Sequence, residues 1–188
     1  SISKTLKPSV EALDNPEIVS KNLANLLTSG KDVVKNNKII FKGFDNAGLE
    51  TFYKSMAKIG INKQSAEQLA GELINVRASF TGFKNAILQG KNLNVGAKEF
   101  NDIMSDRFIN DLSTDFKIFT DKAIIPLNAF RPTREVKEEV AKIFQRNFRA
   151  NNPGKKMSDE EAMGIVNNII KNVELDPLTK SPVFSYQS

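Results

Sequence analysis

The sequence predicts an all-α protein: an irregular bundle of about six helices built around a long antiparallel αα-hairpin. Three observations support this fold class. Apolar residues recur at helical spacing along most of the chain. Capping residues precede several of these segments, and glycine follows several of them, where a helix commonly ends.

The N-terminal part predicts two helices separated by a connection. Asn15-Pro16 is typical of an N-cap followed by proline at the first helical position, and Gly30 is placed to end this helix in the left-handed conformation. Residues 31–44 include an apolar run at 38–44 that could form a strand. Because no partner strand is apparent, we predict a connection there. The second helix is predicted from about Asn46 to Ile59.

A long third helix is predicted from about Asn62 to Gln89, with an apolar seam spaced alternately by three and four residues. The seam could form an oligomeric coiled coil or pack inside its own bundle. The second interpretation is favoured, because the predicted fourth helix, about Gly96 to Thr120, carries a matching Phe-rich stripe. The seam residues are Ala66, Leu69, Leu73, Val76, Phe80, Phe83 and Ile87.

Two more helices are predicted in the C-terminal part. An apolar crossover at 121–133 leads to a fifth helix, which Thr133 caps and which ends near Ala150. Asn151–Gly154 ends the fifth helix. Ser158–Glu161 is a capping box at the start of a sixth helix.

A length of 188 residues suits one domain, which we divide into three segments. Residues 1–14 are predicted to be an irregular N-terminal arm and residues 15–173 the helical bundle. Residues 174–188 contain two prolines and no periodicity, which predicts an extended C-terminal tail. No run of 18 apolar residues exists, so no membrane-spanning helix is predicted.

Cysteine and histidine are both absent. Their absence excludes disulfides, thiolate metal sites, zinc hydrolase sites and Ser-His-Asp triads. Carboxylates remain for acid–base chemistry, but capping and solvent exposure explain them. We therefore predict no enzyme, no cofactor and no metal site. The carboxylates considered are Asp102, Asp106, Asp111 and Asp115 in the fourth helix and Asp159, Glu160 and Glu161 in the sixth.

The net charge of +5 is unevenly distributed. Residues 131–156 contain eight Lys or Arg and three Glu, which is a balance of +5 within 26 residues. The remainder of the chain has 19 basic and 19 acidic residues and is neutral. All the excess positive charge therefore belongs to the fifth helix and the loop after it.

This basic segment has two interpretations. It could be a surface for nucleic acid or an acidic partner. It could instead be a solvated helix face, in which Glu138 supports Lys142 and the C-terminal cations suit the helix dipole. The second interpretation is favoured, because no RNA-binding signature accompanies the charges. The candidate anion or nucleic-acid contacts are Arg134, Lys142, Arg146, Arg149, Lys155 and Lys156.

Four short motifs lie between residues 105 and 133: Ser105–Phe108, Ser113–Phe119, Ile124–Leu127 and Phe130–Thr133. Together they resemble segments of the large internal virion proteins, of the ejection type, of marine tailed phages. The resemblance implies a helical segment of a much larger protein, located in the virion interior or the bacterial cytoplasm. Some of those proteins carry a cell-wall-cleaving transglycosylase domain. The Glu-Ser signature of that domain is absent here, so no catalytic residue is carried over.

The predicted function is a non-catalytic helical structural or interaction module, a segment of a larger protein that binds a protein partner or the remainder of its own chain. The start at Ser1 rather than Met is compatible with such a segment. The alternative is a nucleic-acid-binding helical domain that uses residues 131–156. The sequence leaves the oligomeric state open.

Overall fold

The chain is mostly helical, but a β-hairpin lies between the first two of the described helices, so the prediction of an all-α fold is wrong there. The computed structural model describes residues 16–90, 95–104, 132–175 and 182–183. The predicted arm, most of the fourth helix and most of the crossover lie outside these residues. The described elements are α1 (Pro16–Thr28), β1 (Gly30–Lys35), β2 (Lys38–Phe44), α2 (Asn46–Lys58), α3 (Lys63–Gly90), α4 (described at 97–104), α5 (Arg134–Asn151), α6 (Asp159–Lys171), β3 (Glu174–Leu175) and β4 (Pro182–Val183).

Strands β1 and β2 pair antiparallel through the two-residue turn Asn36-Asn37. Both asparagines have positive φ, 54° and 59°, as a type I′ turn requires and as asparagine tolerates. The prediction of a connection over 31–44 is therefore wrong. The partner strand escaped prediction because Lys, Asp and Val in β1 give no alternating apolar pattern.

Gly30 begins β1 and does not end α1 in the left-handed conformation, which corrects a second expectation. Its role is close approach to neighbouring side chains. A Cβ at this position would lie 3.1 Å from Arg77 Nε and 3.1 Å from Phe41 Cε1. The hairpin therefore approaches α3 closely at Gly30, where a larger residue would require its neighbours to shift by a few tenths of an ångström.

Helix α3 is the longest described element, and its apolar seam is buried within the chain. All seven seam residues are between 0% and 8% exposed. The intramolecular interpretation of the seam is thus confirmed. Three elements that precede α3 in the sequence pack against it: α1, β2 and α2. Helix α6, which follows it, also contacts α3.

The two predicted caps of the C-terminal helices are confirmed. Val136 N donates to Thr133 Oγ1 at 3.4 Å, and Glu161 N donates to Ser158 Oγ at 3.1 Å. Helices α5 and α6 pack against each other, with Val140 and Val166 fully buried.

The described part of the predicted tail forms a short antiparallel ladder, in which Glu174 pairs with Val183 and Leu175 with Pro182. Strand β4 lies beside α3. Among the described residues, none of the helices combines the length and the apolar character that crossing a membrane requires.

Candidate anion-binding groove

The six candidate cations are all exposed. Lys142, Arg146 and Arg149 recur at i, i+4 and i+7 on α5, which places them on one helix face. The opposite face carries Val136, Val140 and Ile143, which are at most 2% exposed. Burial of this apolar face therefore turns the basic face to solvent.

A groove of about 440 Å³ runs between this basic face and the segment that enters α6. Four of the six candidate cations line it: Lys142, Arg146 and Arg149 from α5 and Lys156 from the loop. Gln145, Met157 and Asp159 complete its lining. The other two candidates, Arg134 and Lys155, do not line the groove, so the structure brings together a subset of the predicted site.

Gln145 joins the loop to α5. Its Nε2 donates to the backbone oxygen of Met157 at 3.1 Å and to Asp159 Oδ1 at 2.8 Å. One turn follows α5: Lys155 N donates to Asn152 O at 3.0 Å, and Gly154, the third residue of this turn, has a φ of 82°. These contacts hold Lys156, next to Met157, against the basic face of α5. Sequence reasoning did not identify Gln145, because nothing local links it to a residue twelve positions later.

The charges of the groove are poorly balanced by carboxylates. Among the described residues, no carboxylate oxygen lies within 4.0 Å of the side-chain nitrogens of Arg146, Arg149 or Lys156, and the groove lining contains one carboxylate, Asp159, against four cations. Lys142 has a weak partner, Glu139 Oε2, at 3.8 Å from its Nζ. The groove is therefore an electropositive surface feature of the described structure.

Part of this basicity has a purely structural explanation. Arg149 lies in the last turn of α5, where a cation interacts favourably with the helix dipole. The dipole does not explain Lys156, which lies outside the helix and is brought to the same groove by the loop.

A second cluster of charges is buried between the hairpin and α3. Asp32 accepts two hydrogen bonds from Arg77, from Nη2 to Oδ2 at 2.9 Å and from Nη1 to Oδ1 at 3.2 Å. Lys84 Nζ donates to Asp32 Oδ2 at 2.8 Å and also to Asn101 on α4. The Asp32, Arg77 and Lys84 side chains are 3%, 9% and 0% exposed. We call these three residues the buried charge cluster.

Burial and charge act in opposite directions within this cluster. Burial alone would raise the pKa of Asp32, but the charges of Lys84 and Arg77 and their hydrogen bonds outweigh it and lower that pKa. For Lys84, burial is the larger effect, and despite the attraction of Asp32 it lowers the pKa to about 8. Such shifted groups can mark active sites, but these are closed to solvent, which favours a structural role.

Two aromatic rings lie against the buried charge cluster, and the Asn85 side chain next to it forms hydrogen bonds with the backbone of β2. The Arg77 guanidinium lies 5.1 Å from the Phe41 ring centroid, and Lys84 Nζ lies 4.5 Å from that of Phe80. Beside them, Asn85 pairs with the β2 backbone, since its Nδ2 donates to Ile39 O at 2.6 Å and its Oδ1 accepts from Ile39 N at 2.9 Å.

The polar residues of α3 were not predicted as a buried site, although the sequence carries a signal for them. Arg77, Thr81, Lys84 and Asn85 recur at i, i+4, i+7 and i+8, which is a polar stripe of helical period beside the apolar seam. On an isolated helix such a stripe indicates a solvated face. Here it is buried because the hairpin covers it.

The candidate carboxylates do not assemble into a site. Asp102 is exposed and pairs with Lys98 at 3.1 Å, and Asp159 lies in the first turn of α6 beside Glu160 and Glu161. Asp106, Asp111 and Asp115 lie outside the described residues. Within the described ranges, no group of three or more Asp or Glu side chains has an arrangement that could hold a metal ion.

The comparisons with known proteins give no family for this chain. No protein-family model, no curated protein and no solved structure matches it. The motifs that resemble phage virion proteins lie outside the described residues, apart from Pro132 and Thr133.

Proposed function

We propose that this chain is a non-catalytic interaction module that binds the phosphate backbone of nucleic acid through the basic groove. One observation carries the proposal. Lys156 comes from a loop, Lys142, Arg146 and Arg149 come from a helix, and all four line the same groove. A solvated helix face needs no such convergence from a second segment.

The chemistry of the groove suits phosphate oxygens. Arginine presents a planar fork of donors that matches phosphate, and lysine supplies a compact positive charge. Each phosphate that is neutralised releases condensed counterions, so the affinity should fall as salt concentration rises. Because the rest of the sequence is neutral, long-range attraction to a polyanion should be directed to this groove.

The proposal is tested by fluorescence anisotropy with a labelled oligonucleotide, starting at about 50 mM salt, where phosphate contacts are strong. We expect the triple variant Arg146→Gln, Arg149→Gln, Lys156→Gln to bind at least about tenfold more weakly than the unmodified protein, since each lost phosphate contact removes part of the electrostatic affinity.

The matched control is Lys21→Gln, Lys54→Gln, Lys58→Gln, which removes the same charge from exposed positions outside the groove. It should lose much less affinity. Equal losses in the two triple variants would mean that net charge, and not the groove, governs binding. Absence of salt-dependent binding would refute the proposed function.

A second candidate function is a structural module that binds a protein partner within a larger assembly, such as a phage virion. It is supported by apolar side chains exposed at the hairpin, where Val33 is 40% and Val34 is 39% exposed. Light scattering coupled to size exclusion tests it. If the unmodified chain self-associates, we expect the double variant Val33→Thr, Val34→Thr to have a lower average molar mass, closer to that of the monomer. A chain that is strictly monomeric before substitution would count against self-association through this strand.

We also infer that α3 and α4 form the antiparallel αα-hairpin around which the other helices are arranged as a bundle. Support comes from the hydrogen bond between Lys84 and Asn101 and from the complete burial of Phe100 and Met104 on α4.

A further inference from the structure

The outer edge of strand β1 is open in the described part of the chain. β1 pairs with β2 on one side, and none of the described strands pairs with its other side. The side chains of Val33, Val34 and Lys35 are exposed there. An unpaired edge presents backbone N–H and C=O groups to which a further strand can bind. We call this side of β1 the β1 edge.

The register of the hairpin shows which backbone groups face this edge. Lys35 and Lys38 flank the two-residue turn and form a hydrogen-bonded pair. The next pair, Val34 with Ile39, is then a non-hydrogen-bonded one, in which each residue points its N–H and C=O away from the other strand. Ile39 agrees with this, since its N–H and its C=O both bond the Asn85 side chain. Val34 therefore points its N–H and C=O at the β1 edge.

The two edges of the hairpin differ in what they bind. Asn85 occupies the β2 edge at Ile39, where it takes the place of a neighbouring strand. Asp32 lies two residues before Val34 and repeats its orientation, so the β1 edge presents two N–H and two C=O groups. Among the described residues, none forms a hydrogen bond with these four groups. In this part of the structure they are available to an added strand.

Lysines flank the same groups. Lys31 and Lys35 lie on one face of β1 with Val33 between them, because side chains alternate along a strand. Lys35 forms no ion pair among the described residues. Lys31 Nζ lies 3.1 Å from Asp45 Oδ1, but its side chain is 67% exposed. This face is therefore basic at both ends and apolar in the middle.

The lysines disfavour a second copy of β1 as the occupant of the edge. Self-pairing in the antiparallel register that joins Asp32 to Val34 sets Lys31 opposite Lys35 at both ends, and like charges directly opposite each other are destabilising. The same positions favour a strand with acidic side chains, because opposite charges across two strands are stabilising.

The backbone groups favour a polypeptide over a nucleic acid. Phosphate oxygens accept hydrogen bonds from N–H groups but donate none, so they would leave the carbonyls of Asp32 and Val34 without partners. A strand supplies a donor and an acceptor at each alternate residue, which matches the β1 edge.

We propose that the β1 edge binds an extended acidic polypeptide segment, which adds to the hairpin as a third, antiparallel strand. An apolar residue of the segment lies opposite Val33, and acidic residues two positions to either side lie opposite Lys31 and Lys35. The residues between them exchange backbone hydrogen bonds with Asp32 and Val34. This inference does not involve the basic groove; it rests on the second candidate function and gives its protein partner a stated chemistry.

The experiment measures the fluorescence anisotropy of the labelled peptide Thr-Glu-Thr-Val-Thr-Glu-Thr as the full chain is added, at about 50 mM salt, where screening is weak. We expect saturable binding. A peptide with lysine in place of both glutamates should bind at least about fivefold more weakly, because two opposite-charge pairs become like-charge pairs.

N-methylated peptides test the backbone pairing separately from the charge. Methylation of the two threonines beside the valine blocks the N–H groups that face β1, and it should weaken binding at least about tenfold. The matched control is methylation of the valine, whose N–H faces away from β1 in this register, and it should have little effect.

Variants of the chain locate the site. Lys31→Glu, Lys35→Glu should reverse the preference, so that the lysine peptide binds more tightly than the glutamate peptide. A variant that only destabilised the protein would weaken both peptides. The matched control is Lys54→Glu, Lys58→Glu, which makes the same change of net charge on exposed positions of α2 and should keep the original preference.

The basic groove is the other cationic surface that an acidic peptide could use. The groove variant Arg146→Gln, Arg149→Gln, Lys156→Gln should therefore bind the peptide as tightly as the unmodified chain does. Loss of the peptide in this variant would place it in the groove and overturn the inference.

Three further results would overturn it. They are absence of saturable binding, a methylated-threonine peptide that binds as tightly as its parent, and an unchanged preference in Lys31→Glu, Lys35→Glu. Absence of peptide binding in a chain that light scattering shows to be a dimer would assign the edge to a second copy. None of these results concerns oligonucleotide binding or a protein partner that binds elsewhere on the chain, so failure of this inference is distinct from failure of either function.

Discussion

Asp32 links the hairpin to α3 through hydrogen bonds from Arg77 and Lys84. Its carboxylate is 3% exposed and is the described partner of two buried cations that come from one helix. Taking charged groups out of water is costly, and the cost is recovered only while the opposite charges stay together. Because the pKa of Asp32 is lowered, its stabilising contribution is present above the ordinary value of 3.8 and is lost as the pH falls through the lowered value.

We predict that Asp32→Asn lowers the free energy of unfolding by about 3–5 kcal/mol, because the buried Arg77 guanidinium stays charged and loses this hydrogen-bonded carboxylate, and Lys84 loses the same partner. Urea unfolding at neutral pH measures the loss. Asp102→Asn is the matched control, since its partner Lys98 is 83% exposed and such surface pairs contribute less than about 1 kcal/mol. Similar losses in both variants would contradict a structural role for the buried charge cluster.

Lys84 should make stability depend on pH in the alkaline range. Its pKa is about 8 in the folded chain and 10.5 when exposed, so between these values the unfolded state binds more protons. The free energy of unfolding should therefore rise from pH 8 to 10.5, by at most roughly 3 kcal/mol. Denaturant titrations across this range should show the rise in the unmodified protein and its loss in Lys84→Met. Lys54→Met, on the exposed surface, should retain it; a rise that persisted in Lys84→Met would exclude Lys84 as its origin.

At the scale of secondary-structure elements, the starts of two helices were predictable from the sequence because nearby residues specify them. Thr133 and Ser158 cap α5 and α6 as predicted, because a cap needs only a hydroxyl and the backbone N–H groups of the next turn. The hairpin was not predicted. Its local signals are the apolar run at 38–44 and the turn Asn36-Asn37, but β1 has no apolar alternation and an asparagine pair is less distinctive than Asn-Gly.

The groove also combines positions that local sequence specifies with one that depends on a distant contact. The wheel positions of Lys142, Arg146 and Arg149 could be read from the sequence, since the helix period fixes them. The position of Lys156 depends on the Gln145 amide reaching across to the loop, which no periodicity encodes. The sequence therefore reveals the four charges but not that they line one groove.

At the scale of the whole molecule, the sequence predicts the core better than the contacts between distant segments. The seam of α3 is buried as expected, because an apolar stripe of that length must be covered. The buried charge cluster joins residues 45 and 52 positions apart, Asp32 to Arg77 and Asp32 to Lys84. Neither α3 nor β1 carries a local sign that the other will supply its counter-charge.

Strand β1 turns Asp32 inward while Val33 and Val34, both about 40% exposed, remain partly in solvent. Hydrophobicity alone would favour sliding the strand by one residue, which would bury a valine and release the aspartate. In that slipped pairing, however, Arg77 and Lys84 would face a hydrocarbon side chain. We infer that the two cations fix the register of the hairpin during folding. They destabilise a shifted strand pairing that burial of its apolar residues alone would favour.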